Sequence, residues 1–301
     1  MSKRKIKREI TWYSFIITSV ICLIVLTYIP MATTIKYSFY DARTLGFEGS
    51  FNGLQNYRVL VSNNGFWKAI ANTFVLTLLA LLQIPIGYII ACLINSIRIS
   101  KLNSFFRVGY YMPNIITGVS VVLIFQVVLK QNGGVLNNAL SAILPGEVTI
   151  GWLVDTKFAK FGATILALWA NVGYCVLICL ANLQNISGDV NEAAEVDGAS
   201  GLKRWFYITT PLMKDCFIFL FITNIINGFA RFTDLFVIGG NSASGRPGGA
   251  LQTLLMYIYQ YSFEYPNFGI ASAGAMILFI LTFVVTMFNL KLTGFFKKSE
   301  D

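Results

Sequence analysis

The sequence predicts an all-α membrane protein, a single polytopic domain over residues 1–301 with about six transmembrane helices. Hydrophobic residues make up 55% of the chain and charged residues 12%, which is far more apolar than an average soluble domain. A segment of about 20 apolar residues is long enough to cross a bilayer. Such segments lie at roughly 12–34, 69–95, 108–129, 161–185, 215–239 and 267–291.

The basic residues predict the orientation of these spans. Most of the 23 Lys and Arg residues fall in the two terminal tails and in the loops at 96–107 and 186–214. The positive-inside rule therefore places both termini and these loops in the cytoplasm. The first span follows a basic start, as in a secretory signal. Its apolar run from Trp12 to about Met31 is too long for a signal peptide, so we expect it to be retained.

One polar segment, residues 189–211, interrupts the apolar pattern on the predicted cytoplasmic side. Asp189 is a candidate helix cap with Glu192 three residues later, a variant of the capping box. The two alanines after Glu192 have short side chains, so another protein could approach this helix closely. Gly198 can adopt positive φ and so turn the chain between two short helices. These features favour a docking loop, although an ordinary connector between spans is the alternative.

The same segment resembles the signature loop of permease subunits in ATP-driven (ABC) importers. That loop reads Glu-Ala-Ala, three residues, Gly, and after about nine more residues Ile-x-x-Pro. The run from Asp197 to Ser200 and the aromatic residue at 206 further resemble the carbohydrate branch, which includes maltose and multiple-sugar permeases. The resemblance implies a type I importer permease fold and an ATPase-coupling role for Glu192, Ala193, Ala194, Asp197, Gly198, Ala199, Phe206 and Pro211.

The resemblance extends along nearly the whole chain. Asn56 and Asn72 match early landmarks of the family, and Arg107 and Pro113 match residues that bracket entry to the third span. The loop after the fifth span departs from the family's Thr-x-Gly-Gly-Pro pattern. Residues 239–247 do not match this pattern, and the loop is longer or rearranged relative to it. The resemblance is therefore weakest in this outer loop.

Polar residues inside two spans are candidates for a substrate pathway. Charged residues at the centre of a span are costly, so they usually face a cavity or a partner. Arg231 and Asp234 are three residues apart and can pair on one helix face. The alternative is that this pair only neutralises itself at a subunit interface. The candidate pathway residues are Trp169, Asn171, Asn224, Asn227, Arg231 and Asp234.

The sequence shows few of the residue patterns that indicate an enzyme active site or a bound cofactor. The chain contains no His, which removes the commonest general base and metal ligand. It also lacks a Gly-x-x-x-x-Gly-Lys-Ser/Thr phosphate loop. We therefore expect a transport subunit with no cofactor or metal of its own, with ATP and Mg²⁺ on a separate ATPase. The excess of basic residues that gives the net charge of +9 lies at the predicted cytoplasmic edge of the membrane. Nucleic-acid binding is therefore not expected.

The resemblance also implies cargo and partners. It implies import of a sugar or oligosaccharide by alternating access across a bacterial plasma membrane. The implied partners are a second homologous permease, a cytoplasmic ATPase dimer, an extracytoplasmic solute-binding protein and membrane lipid. Another polar solute, such as glycerol phosphate or a polyamine, is the alternative cargo. A secondary transporter would show internal repeats and more spans, and the docking loop would then be unexplained.

Overall fold

The computed structural model describes residues 12–13, 16–44, 46, 49–199 and 201–292. Its regular elements are helices, apart from one isolated bridge between Tyr40 and Phe51, which confirms the all-α prediction. In chain order we name the helices α1 (Ile16–Tyr37), α2 (Gln55–Val61), α3 (Asn64–Ala80), α4 (Gln83–Asn95), α5 (Ser100–Ile115), α6 (Gly118–Val128), α7 (Val135–Ile143), α8 (Ala159–Gln184), α9 (Gly188–Val196), α10 (Gly201–Arg204), α11 (Lys214–Phe229), α12 (Thr233–Ile238), α13 (Leu254–Tyr259) and α14 (Phe268–Leu292).

The number of spans agrees with the sequence. Within the described residues, five helical segments are long and apolar enough to cross a membrane, and a sixth span results if α5 and α6 are taken together. The second span consists of α3 and α4 in succession, and the fifth consists of α11 and α12. The terminal tails at 1–11 and 293–301, which contribute to the predicted orientation, lie outside the described residues.

The third span differs from the expected continuous helix over 108–129. It begins earlier, at Ser100, and α5 and α6 meet at an angle of 98°. The backbone at Ile116 and Thr117 is extended, with ψ of 138° and 137°, so the helical hydrogen bonds stop there. Pro113 has no N–H to donate, which makes the last turn of α5 a favourable place for the helix to end.

The described residues form two compact units. The first contains the described residues up to Asn64 together with Ile258–Phe279. Within it, the buried Asn56 donates hydrogen bonds from Nδ2 to the carbonyls of Ser38 and Tyr40, at 3.0 and 2.9 Å. These bonds satisfy the backbone where the chain leaves α1, which gives Asn56 a structural role.

The second unit contains Gly65–Tyr257 and the described residues from Ile280 onward. Its main core lies where α8 packs against α4 and α11. Two glycines of this unit permit unusually close helix contacts. A Cβ at Gly87 would lie 2.6 Å from the Cβ of Cys175, and a Cβ at Gly173 would overlap the Tyr110 carbonyl. The helix α8 is therefore in backbone-level contact with α4 on one side and α5 on the other.

The rearranged loop at 239–247 leads into a segment that side-chain amides hold in place. Asn72 of α3 donates from Nδ2 to the carbonyls of Gly249 and Gln252, at 2.8 and 3.0 Å. Gln252 in turn donates from Nε2 to the Ala243 carbonyl at 2.9 Å. The segment is thus fixed to the start of the second span.

Candidate transport cavity and coupling loop

A polar cavity of about 530 Å³ lies in the second unit, where two broken helical segments meet α8. One wall is formed by the break between α5 and α6, and another by the end of α11, residues 230–232 and the start of α12. A helix break exposes backbone groups and lets polar side chains reach a shared space. Five of the six predicted pathway residues line this cavity: Asn171, Asn224, Asn227, Arg231 and Asp234.

Trp169 does not line the polar cavity. It lies on another face of α8, where it lines a separate cavity of about 320 Å³ with aromatic residues of α5 such as Phe106 and Tyr110. Its ring also packs against Phe125 of α6, with the centroids 5.3 Å apart. Because successive residues of a helix point about 100° apart, Trp169 and Asn171 diverge although they are only two positions apart.

Arg231 and Asp234 form a short ion pair in the cavity wall. Both Nε and Nη2 of Arg231 donate to the same oxygen, Oδ2 of Asp234, at 2.8 and 2.6 Å. Nη2 also donates to the carbonyl of Ala163 in α8 at 2.7 Å. The side chains are only 10% and 19% exposed. The predicted pairing is thus present, and it ties the break after α11 to α8.

The sequence did not point to Gln83, which also lines the cavity. Its Nε2 donates to Oδ1 of Asn224, and both side chains are buried. Asn224 in turn donates from Nδ2 to the Leu220 carbonyl at 2.7 Å. A glutamine in the middle of the second span was the available signal, since buried amides in spans need a partner. The pair therefore joins α4 to α11 beside the cavity.

The predicted coupling loop consists of α9, a turn, and a second helical stretch from Gly201 to Leu212. The cap of α9 differs from the expectation. Ser187, and not Asp189, is the N-cap residue, and its hydroxyl accepts a hydrogen bond from the Asp189 amide at 3.2 Å. The helix begins at Gly188, so Asp189 lies inside its first turn. There the carboxylate still interacts favourably with the positive end of the helix dipole.

Gly198 makes the turn between the two helical parts. Its φ is +71°, and no atom lies within 4 Å of the position that a Cβ would occupy. The turn therefore depends on backbone conformation and not on lack of space. Beyond it, Arg204 pairs with Glu195 at 3.0 Å and links the second helical part back to α9.

The side chains of the loop divide into an outward and an inward set. Ala194 is only 3% exposed, so of the two adjacent alanines only Ala193 is open to another protein. Ala199 is half-buried. The remaining predicted coupling residues are exposed: Glu192, Asp197, Gly198, Phe206 and Pro211. Apolar side chains nearby are also open, including Val196 and Tyr207. The loop thus presents a mixed acidic and apolar surface, which is typical of interaction sites.

Comparison with known proteins identifies relatives over nearly the full length. The chain is 31% identical over 298 residues to the arabinooligosaccharides transport system permease protein AraP of Halalkalibacterium halodurans, covering 98% of this chain and 91% of that protein. It is 29% identical over 298 residues to the multiple sugar-binding transport system permease protein MsmF of Streptococcus mutans, covering 99% and 100%.

A solved structure shows the same fold. The crystal structure of a bacterial ABC transporter involved in the import of the acidic polysaccharide alginate contains a chain that matches with a TM-score of 0.81 at 22% identity, covering 98% of this chain and 99% of that one. The family model described as binding-protein-dependent transport system inner membrane component matches residues 83–293. This range includes the coupling loop and every residue of the cavity lining except Ala80. The chain is therefore a multi-pass membrane protein of the binding-protein-dependent transport system permease family.

Proposed function

We propose that this chain is a permease subunit of an ATP-driven importer for a sugar or oligosaccharide. The observation that carries the cargo class is the near-full-length similarity to permeases named for arabinooligosaccharides and for multiple sugars. The polar cavity agrees with this cargo, because amide side chains can both donate and accept hydrogen bonds, as sugar hydroxyls do. Small-molecule sites commonly occupy 300–1,000 Å³, and the cavity of about 530 Å³ falls within this range.

The coupling loop is the proposed contact with a cytoplasmic ATPase dimer. Its exposed residues, from Glu192 to Pro211, offer carboxylates and apolar side chains to a partner surface. This assignment places the loop and both termini in the cytoplasm, as the distribution of basic residues also indicates. We assign ATP and Mg²⁺ to the ATPase, because the sequence of this chain contains no Gly-x-x-x-x-Gly-Lys-Ser/Thr phosphate-binding loop.

The transport step is alternating access at the polar cavity. A second homologous permease closes the open side of the cavity, and an extracytoplasmic solute-binding protein delivers the sugar. Closure of the ATPase dimer moves the coupling loop, which is connected through α8 and α11 to the cavity wall. Breaks in both walls provide places where the cavity can change shape.

Reconstitution tests this function. The complete importer in liposomes of bacterial lipid, with ATP inside and loaded binding protein outside, is expected to take up a neutral oligosaccharide. Omission of ATP or of the binding protein should abolish uptake. The purified chain alone should neither hydrolyse ATP nor take up sugar. Uptake by the single chain, or ATP-independent uptake by the complex, would contradict the proposal.

A further inference from the structure

We propose, as an extension that rests on the function above, that the cavity is selective for uncharged sugars. Asp234 sets this selectivity by cancelling the charge of Arg231. The sugar class is thereby narrowed to neutral sugars, and acidic sugars are excluded.

The charges of the cavity wall cancel each other. Within the described residues, Arg231 and Asp234 are the two charged residues of the lining. The two guanidinium contacts to Oδ2 are 2.8 and 2.6 Å long, so the charges are compensated by direct contact. Both side chains are largely buried, where an ion pair is weakly screened by salt. A ligand in this cavity therefore meets no net charge.

Several polar atoms of the wall remain available to a neutral ligand. Oδ1 of Asp234 and the amide of the exposed Asn227 make no hydrogen bond within the described part of the chain. Nη1 of Arg231 has no hydrogen-bond partner there either, but it is buried and out of reach of a ligand. The two groups within reach are thus a carboxylate acceptor and an amide that both donates and accepts. Hydroxyl groups can satisfy both without bringing charge.

A charged cargo would require a cavity wall with an unpaired charge of the opposite sign. A phosphate or uronate needs a cation that is not already neutralised, and a polyamine needs an unpaired carboxylate. Arg231 could serve an anion only by leaving Asp234, which would strand a buried carboxylate. A cationic cargo would meet a carboxylate whose charge Arg231 already neutralises. The pair therefore disfavours both signs of charge while offering hydrogen bonds to a neutral sugar.

Competition from the inside of the liposome tests this selectivity without involving the binding protein. Uptake is measured with the neutral oligosaccharide that the wild-type importer takes up best. The competitor in the lumen, where it reaches the inward-facing cavity, is either the same unlabelled sugar or trigalacturonate at equal concentration. For the wild type, the neutral sugar should inhibit about tenfold more strongly than trigalacturonate. In Asp234→Asn the uncompensated Arg231 should move this ratio by about tenfold toward trigalacturonate.

Two further variants control the result. Asp215→Asn makes the same chemical change at an exposed position in the first turn of α11 and should behave as wild type. The double variant Arg231→Gln with Asp234→Asn removes both charges and should keep the exclusion of trigalacturonate. If Asp234→Asn does not assemble, the wild type and the double variant decide the question.

The outcomes separate this inference from the proposed function. Equal inhibition of the wild type by the two competitors would overturn the inference, as would an unchanged ratio in an assembled Asp234→Asn. Uptake of a uronate or a sugar phosphate in place of neutral sugars would overturn the inference too, while the proposed sugar importer remains. Absence of uptake for every compound would remove the proposed function itself.

Discussion

Two ion pairs in the second unit show that burial determines how much an arginine–carboxylate pair contributes to stability. Arg231–Asp234 lies in the cavity wall at 2.6 Å with side chains 10% and 19% exposed, whereas Arg204–Glu195 lies in the coupling loop at 3.0 Å with side chains 31% and 67% exposed. An exposed pair contributes little to stability because water and salt screen it. A buried pair is costly to break because the remaining charge is left without water. Breaking the pair in the cavity wall should therefore lower the stability of the protein. The charges of the coupling loop contribute little to stability and remain accessible to a partner protein.

The largest expected effect on stability comes from breaking the buried pair. Arg231→Ala leaves Asp234 unpaired, so we expect a loss of about 3–5 kcal/mol and a lower yield of assembled complex. The matched variant Arg204→Ala breaks the exposed pair and should cost no more than about 1 kcal/mol. Thermal unfolding of both purified complexes measures the difference. Similar shifts for the two variants would refute the contrast between the pairs.

A smaller effect is expected at the turn of the coupling loop. Gly198→Asp forces a side chain onto a residue with φ of +71°, which costs about 1–2 kcal/mol. It also adds a carboxylate to an already acidic surface. The complex should assemble and hydrolyse ATP without coupled uptake. Gly188→Asp adds the same group to the first turn of α9, where φ is not positive and acids are favourable, and should keep coupling. Full coupling in Gly198→Asp would make residues 189–211 an ordinary connector.

The helix cap provides a third test. Ser187→Ala removes the hydroxyl that accepts from the Asp189 amide and should destabilise α9 by about 1 kcal/mol. Amide hydrogen exchange in residues 188–192 should accelerate accordingly. Ser96→Ala serves as control, because the Ser96 hydroxyl only donates to the Leu93 carbonyl at a helix end. If exchange in α9 is unchanged, the cap does not hold the start of this helix.

The smallest expected change in stability comes from reversing an exposed charge. Glu192→Lys lies on the open face of α9 and should alter unfolding by less than about 0.5 kcal/mol. Sugar-stimulated ATP hydrolysis should nevertheless fall, since the contact with the ATPase changes sign. Glu147→Lys, another exposed charge reversal outside the loop, should leave stimulation intact. Equal stimulation in both variants would argue against a role for Glu192 in docking.

Much of this architecture could be predicted from local patterns. The apolar segments predicted the spans, and the spacing of Arg231 and Asp234 predicted their pairing, because residues three apart share a helix face. The turn at Gly198 was also predictable, since glycine tolerates positive φ at no steric cost. Each of these features depends on residues that are close together in the chain.

Most of the remaining features depend on distant residues. The 98° bend between α5 and α6 needs more than Pro113, because a proline often only kinks a helix. Gln83 joins the cavity through Asn224, which lies 141 positions away. Trp169 was assigned to the pathway by residue type, but its direction from α8 is set by how that helix packs against α5. Ser187 was missed as a cap because the exact start of a helix is poorly specified by sequence.

The glycine contacts of α8 have a mechanical consequence. At Gly87 and Gly173 the neighbouring helices touch without an intervening side chain, so α8 cannot slide along α4 or α5 without backbone collisions. We therefore expect these three helices to move together. A change in the shape of the cavity has to come from swinging about hinges, which are typically a few residues at the ends of elements. The extended backbone at 116–117 and the break at 230–232 are the positions where we expect such hinges.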